Sequence, residues 1–204
     1  MTNSAMGQST SSPPEPVSVL FVCLGNICRS TMAEAVFNHL THTPNSAISG
    51  SAAFTSTKPA IPSKLQFITD SAGTGAYHEG ADPDPRTMLA LDNHDMSGYT
   101  HSARKLRPED FREFDYILGM DDDNVHDIKA VRRRVASRST SEDGLAKVFL
   151  FGDFGGKKGE EVVDPYYGAD QGFEIAFEQM GRFSKGLVEF LEKEQRGKKG
   201  GGSS

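Results

Sequence analysis

The chain has 204 residues, 36% of them apolar and 25% charged, with a formal net charge of −6. That size suits one domain with a real core. Without an apolar run of roughly 20 residues there is no candidate membrane-spanning helix. The acidic balance argues against a nucleic-acid partner. Two cysteines exclude a disulfide framework, and a reducing compartment, the cytoplasm, is expected.

Residues 1–16 are polar, lack the apolar stretch of a signal peptide and are expected to form a disordered arm. "VSVLFV", from Val17, has the length and β-branched content of a buried strand. From Ser30 to about His42, Met32, Ala33, Val36, Phe37 and Leu40 fall on one helical face. Ser30 is the expected N-cap, and Glu34 adds negative charge to the first turns. Residues 41–64 are rich in Ser, Thr, Ala and Pro and read as a flexible insertion. A second strand follows over 65–73, then short helices over 84–94 and 107–114, and a third strand over 115–120. A helix is expected from Asp121 to about Val131, a second flexible insertion over 132–146, and a fourth strand over 147–151. A long amphipathic helix runs from Gly172 to about Glu194, and 196–204 read as a loose tail. Strands alternating with helices predict an α/β fold, one domain over 17–195 with a four-stranded parallel sheet and helices on both faces.

Both cysteines lie in the loop between the first strand and the first helix, where Cys23 and Arg29 bracket five residues. Ligands of open α/β sheets bind beyond the carboxyl ends of strands, and helix N-termini present free N–H groups to anions. Gly25 and Asn26 tolerate the left-handed backbone that turns successive N–H groups inward as an anion nest. Arg29 can then fork two N–H bonds onto phosphate oxygens. A cysteine in that field is favoured as the thiolate. Thiolate beside a bound phosphate ester implies attack on phosphorus and a phosphocysteine intermediate. A cysteine after a buried strand is more often an inert core residue; it is the combination of strand, Gly-Asn turn, Arg, Ser and helix that points to chemistry.

"VCLGNICRSTMAEAVF" closely resembles the active-site loop of low-molecular-weight protein tyrosine phosphatases. Residues 70–87, 100–124 and 162–168 resemble, in order, that family's second strand with its substrate-facing loop, its central helix–strand–helix stretch and its acid loop. The resemblance implies the phosphotyrosine phosphatase I-like fold. It implies Cys23 as nucleophile, Arg29 as phosphate clamp and Asp164 as general acid, then base. Leu24, Gly25, Asn26, Ile27 and Cys28 would form the phosphate loop. Ser30 would hydrogen-bond the thiolate, and Asn26 would hold the loop's shape with Ser30 and His101. Leu24, Tyr77, Tyr166 and Tyr167 would wall the phenyl ring, a deep slot that phosphoserine is too short to use. Cys28 would be a redox partner, capturing oxidised Cys23 as a disulfide. Substrates would be phosphotyrosine proteins and small aryl phosphates. No cofactor and no metal is implied, nor a nucleic-acid or membrane partner, and the protein would be a monomer or weak dimer.

Three rivals carry less. Arsenate reductases on this scaffold relay a disulfide to further downstream cysteines, and this chain has none beyond Cys28. Phosphoarginine phosphatases resemble it except for a threonine where Ile27 stands. A phosphate-binding scaffold without catalysis would be expected to lack Cys23, Arg29 or Asp164. Thr31 stands where the family commonly has proline and is expected to loosen the helix start slightly. His78 and Ala81 also depart from the pattern and bear on peptide preference. "FGDFGG" lacks the other parts of a kinase, and "RRRVAS" reads as exposed charge or a basic-directed phosphorylation site.

Overall fold

The computed structural model describes residues 15–41, 61–139, 141–166 and 171–200. Residues 1–14 of the expected arm, most of the first insertion and Tyr167 therefore lie outside the described residues. The elements run β1 Val17–Cys23, α1 Arg29–Thr41, β2 Phe67–Gly73, α2 Pro85–Asn93, α3 Asp110–Glu113, β3 Tyr116–Gly119, α4 Asp122–Ser137, β4 Lys147–Leu150, a 3-10 turn Phe151–Gly155 and α5 Gln171–Gly200. All four strands are parallel, in the order β2-β1-β3-β4.

β1 is central and buried on both faces, which is why its sequence reads as a continuous apolar run. Val17, Val19, Phe21 and Cys23 face one core, shared with α1 and α5. Leu20 and Val22 face the other, with Phe111 of α3 and Ile128 of α4. This period-2 alternation places helices on both sides of the sheet. Phe21, Phe151 and Phe183 tie β1, the 3-10 turn and α5 together, with ring centroids 5.2 Å and 5.4 Å apart.

Several expected boundaries shift. β2 starts at Phe67 rather than residue 65, and Phe151 leaves β4 to open the 3-10 turn. α4 continues through Ser137, so "RRRVAS" is helical rather than loop. Val131, Val135 and Ala136 pack against the second core, and that stripe extends the helix past the arginines. α5 likewise continues to Gly200, so part of the expected tail is helix.

Strand register decides where the site lies. Cys23 is paired with Gly73, and Val22 with both Ala72 and Gly119. The carboxyl ends of β1, β2 and β3 therefore finish together. β2 and β3 lie on opposite sides of β1, so the crevice beyond β1 and β3 is the topological switch point, where open α/β sheets bind ligands.

Candidate active site

The loop from Leu24 to Cys28 curls at that crevice. Asn26 holds the left-handed backbone, with φ at 58°. Gly25, expected to share it, does not. A Cβ at Gly25 would sit 3.0 Å from the His78 ring, so a larger residue there would press on that ring.

One backbone donor orients the polar groups around the sulfur. Arg104 N–H donates to Asn26 Oδ1 at 2.8 Å, which fixes the amide's orientation. Asn26 Nδ2 then faces Ser30 and Ser71, donating to each hydroxyl at 3.0 Å. Ser30 Oγ also lies within hydrogen-bond distance of Cys23 Sγ, 3.1 Å away. Asn26 N–H reaches the same sulfur at 3.3 Å. Ser30 is thus the second residue of α1, not its N-cap. Thr31, expected to loosen this start, tightens it: its hydroxyl donates to Cys28 C=O at 2.8 Å.

The loop rests on a buried polar layer. His101 Nε2 donates to Asn26 Oδ1 at 2.9 Å. Ser71 and Tyr99 donate to Glu34 Oε2 at 2.8 and 2.7 Å. Glu34 is therefore core rather than a charge on the helix start; burial first, then Asp70, pushes its carboxyl up to about 7. Burial also lowers the His101 pKa, so its contact with Glu34 at 3.5 Å is not a firm ion pair. Glu34, Asp70 and His101 could offer three metal-ligating atoms within 4.8 Å of one another. Arg104, 2.8 Å from Asp70, already supplies the positive charge that a metal would bring.

Arg29 is 6% exposed and bridges two carboxylates: Nη1 lies 2.5 Å from Asp121, Nη2 3.1 Å from Asp164. Burial opposes its charge, but the Cys23 sulfur and these two acids outweigh it and hold the guanidinium cationic. Asp164 is 42% exposed, and its Oδ1 accepts Tyr166 N–H at 3.1 Å, an Asx turn. Cys28 is buried; desolvation first, then the Asp84 carboxylate, pushes its thiol up to about 12.

A cleft of about 300 Å³ gathers Cys23, Leu24, Gly25, Ile27, Cys28, Arg29, Tyr77, Asp164 and Tyr166. Asn26, Ser30 and His101 lie buried around it. Asp121, which pairs with Arg29, was not singled out from the sequence. Asp121 follows a buried strand at its carboxyl end, a position that could have flagged it. His78, named from the sequence only as a departure that bears on peptide preference, lies in the cleft wall with its ring 6.5 Å from that of Tyr166.

A family model described as low molecular weight phosphotyrosine protein phosphatase matches residues 18–66 and 53–197. The Schizosaccharomyces pombe protein of that name is 38% identical over 176 residues, covering 86% of this chain and 97% of its own. A crystal structure of an Entamoeba histolytica protein tyrosine phosphatase is similar at 31% identity and TM-score 0.65, over 88% of this chain and 99% of that one. A structure titled drosophila arginine phosphatase is similar at 29% identity and TM-score 0.67, over 85% and 96% of the two chains.

Proposed function

The chain belongs to the low molecular weight phosphotyrosine protein phosphatase family, and from that premise we propose that it hydrolyses protein phosphotyrosine and small aryl phosphates through a phosphocysteine intermediate. One observation carries the reading: a sulfur in hydrogen-bond contact with Asn26 N–H and Ser30 Oγ faces a guanidinium and a carboxylate in a single cleft. Arg29 and the loop amides hold the phosphate. The Cys23 sulfur attacks phosphorus as the ester P–O bond breaks, and Asp164 gives its proton to the leaving phenolic oxygen. Water then attacks the phosphocysteine, Asp164 takes back a proton, and the S–P bond breaks. Ser30 O–H and Asn26 N–H stabilise the departing thiolate. Leu24, Tyr77 and Tyr166 supply the walls for the ring, and Tyr167 is proposed beside them.

The loop's two thiols support reversible oxidative control. Peroxide would oxidise Cys23 to the sulfenic acid. Cys28 would then form the S–S bond as water leaves. Free thiols suit the cytoplasm, and among the described residues no helix is long and apolar enough to cross a membrane. A monomer or weak dimer is expected, to be checked by sedimentation.

The experiment is a rapid quench of the protein with p-nitrophenyl phosphate, read by mass spectrometry. A phosphoryl group on Cys23 is expected; steady turnover without it overturns the mechanism. Cys23→Ser should abolish turnover while retaining phosphate binding, and Asp164→Ala should slow cleavage by about 10²–10⁴-fold. A phosphoarginine peptide should be a poor substrate, because Ile27 offers the guanidinium-like leaving group no acceptor.

A further inference from the structure

Asp164 can act as an acid only if its backbone is held, yet it lies at an exposed loop. What holds it is the segment from Glu160 to Val163, pinned from two sides. On the sheet side, Val162 N–H donates to Met120 C=O and Asp122 N–H to the Glu161 carboxylate, both at 2.9 Å. On the helix side stands Gln179 of α5, 9% exposed. Its Oε1 accepts from Val163 N–H at 3.0 Å; its Nε2 donates to Glu161 C=O at 2.9 Å and Glu160 Oε1 at 3.1 Å. Val163 is the residue immediately before Asp164.

The neighbours of Gln179 reinforce the seat. Arg182, one turn along α5, binds both oxygens of Glu160 at 2.6 and 2.9 Å. Those bonds first, then Gln179, push the Glu160 carboxyl down to about 2. The backbones are pressed together: a Cβ on Gly152 would sit 1.6 Å from Glu160 C=O. Only an amide matches the three groups, since it supplies one acceptor and two donors in a plane.

We propose that Gln179 is a positioning residue for the reaction, setting the place of Asp164 by bridging the backbone of Glu161 and Val163 to α5. The inference rests on the reading of Asp164 as general acid. A displacement of about 1 Å at a reacting group can cost on the order of 10²-fold in rate, and removal of this bridge lets the acid's loop relax while Cys23 and Arg29 stay in place.

The test compares kcat/KM for phenyl phosphate, whose leaving group needs a proton, with 2,4-dinitrophenyl phosphate, whose leaving group does not. Gln179→Leu should lose about tenfold or more on phenyl phosphate and less than about twofold on the dinitrophenyl ester, with inhibition by inorganic phosphate unchanged. Gln179→Glu keeps the acceptor for Val163 N–H and should retain more phenyl phosphate activity than Gln179→Leu. In an Asp164→Ala background, Gln179→Leu should add no further loss. An equal loss on both esters, no loss on either, or a fully additive loss in the double variant overturns the proposal. If Gln179→Leu does not fold, the ester comparison in Gln179→Glu decides by the same criteria. An Asp164→Ala enzyme with no preference for the better leaving group would instead sink the general-acid reading on which the proposal rests.

Discussion

Two thiols five residues apart in one loop meet different surroundings. Cys23 Sγ accepts Asn26 N–H and lies 3.1 Å from Ser30 Oγ, whereas Cys28 is buried near the Asp84 carboxylate and kept protonated. Cys28 is therefore a poor target for peroxide and must lose its proton to capture an oxidised Cys23. Cys28→Ser should keep its activity but recover less after peroxide and thiol treatment; equal recovery would remove the redox role. Glu34 is a second residue whose environment sets its charge. Its folded pKa of about 7 exceeds the ordinary carboxylate value of 4.5, so the native state binds the extra proton. That contribution is complete below about pH 4.5 and is lost as pH rises through about 7, an effect on the order of 3 kcal/mol. Glu34→Gln should therefore flatten the fall in Tm between those two pH values. An unchanged slope in thermal melts would place the titration on another group. None of this was legible at position 34, where an acid in the first turns of a helix reads as a partner of the helix dipole. Its burial depends on Ser71 and Tyr99 arriving from elsewhere in the chain.

At the level of elements, helix termini serve both stability and the site. Asp121 caps α4 through Asn124 N–H at 2.6 Å and holds Arg29 with its other oxygen. Asp121→Asn keeps an acceptor for the cap but loses the charge; Asp121→Ala loses both. Both variants should lower kcat/KM by leaving Arg29 less well oriented, while only the alanine should cost about 1 kcal/mol of stability in denaturant unfolding. Equal stability of the two would argue against the cap. Most elements could be read from local signals: the apolar run of β1, the Asp-Pro start of α2 with its cap at Asp84, and the apolar stripe of α5. The continuation of α4 through three arginines could not. Its warrant is the contact of Val131, Val135 and Ala136 with the second core, which outweighs the charged composition.

For the whole molecule, α5 is the piece that joins core to chemistry. One face carries Phe183 into the ring cluster with Phe151 and Phe21, and Gln179 and Arg182 hold the segment that leads to Asp164. Phe151→Ala should cost about 3–5 kcal/mol. For a chain of this size that lowers Tm on the order of 10 °C. A shift of only a degree or two in calorimetry would show that the cluster can collapse around the gap.

The sequence by itself determined the α/β alternation, the cysteine loop between strand and helix, and the residue types needed to hold phosphate. These depend on neighbours a few positions apart, through strand periodicity, turn preference and the free N–H groups of a helix start. Only the tertiary structure decided which distant groups complete the site. Arg29 meets Asp121 across 92 residues, and Arg104 orients Asn26 across 78. Val163 reaches Gln179 over only 16 residues, but through a loop whose path is set by packing on Gly152. Such pairings are fixed by strand register and by how helices seat on the sheet, and the spacing of residues along a chain does not encode either.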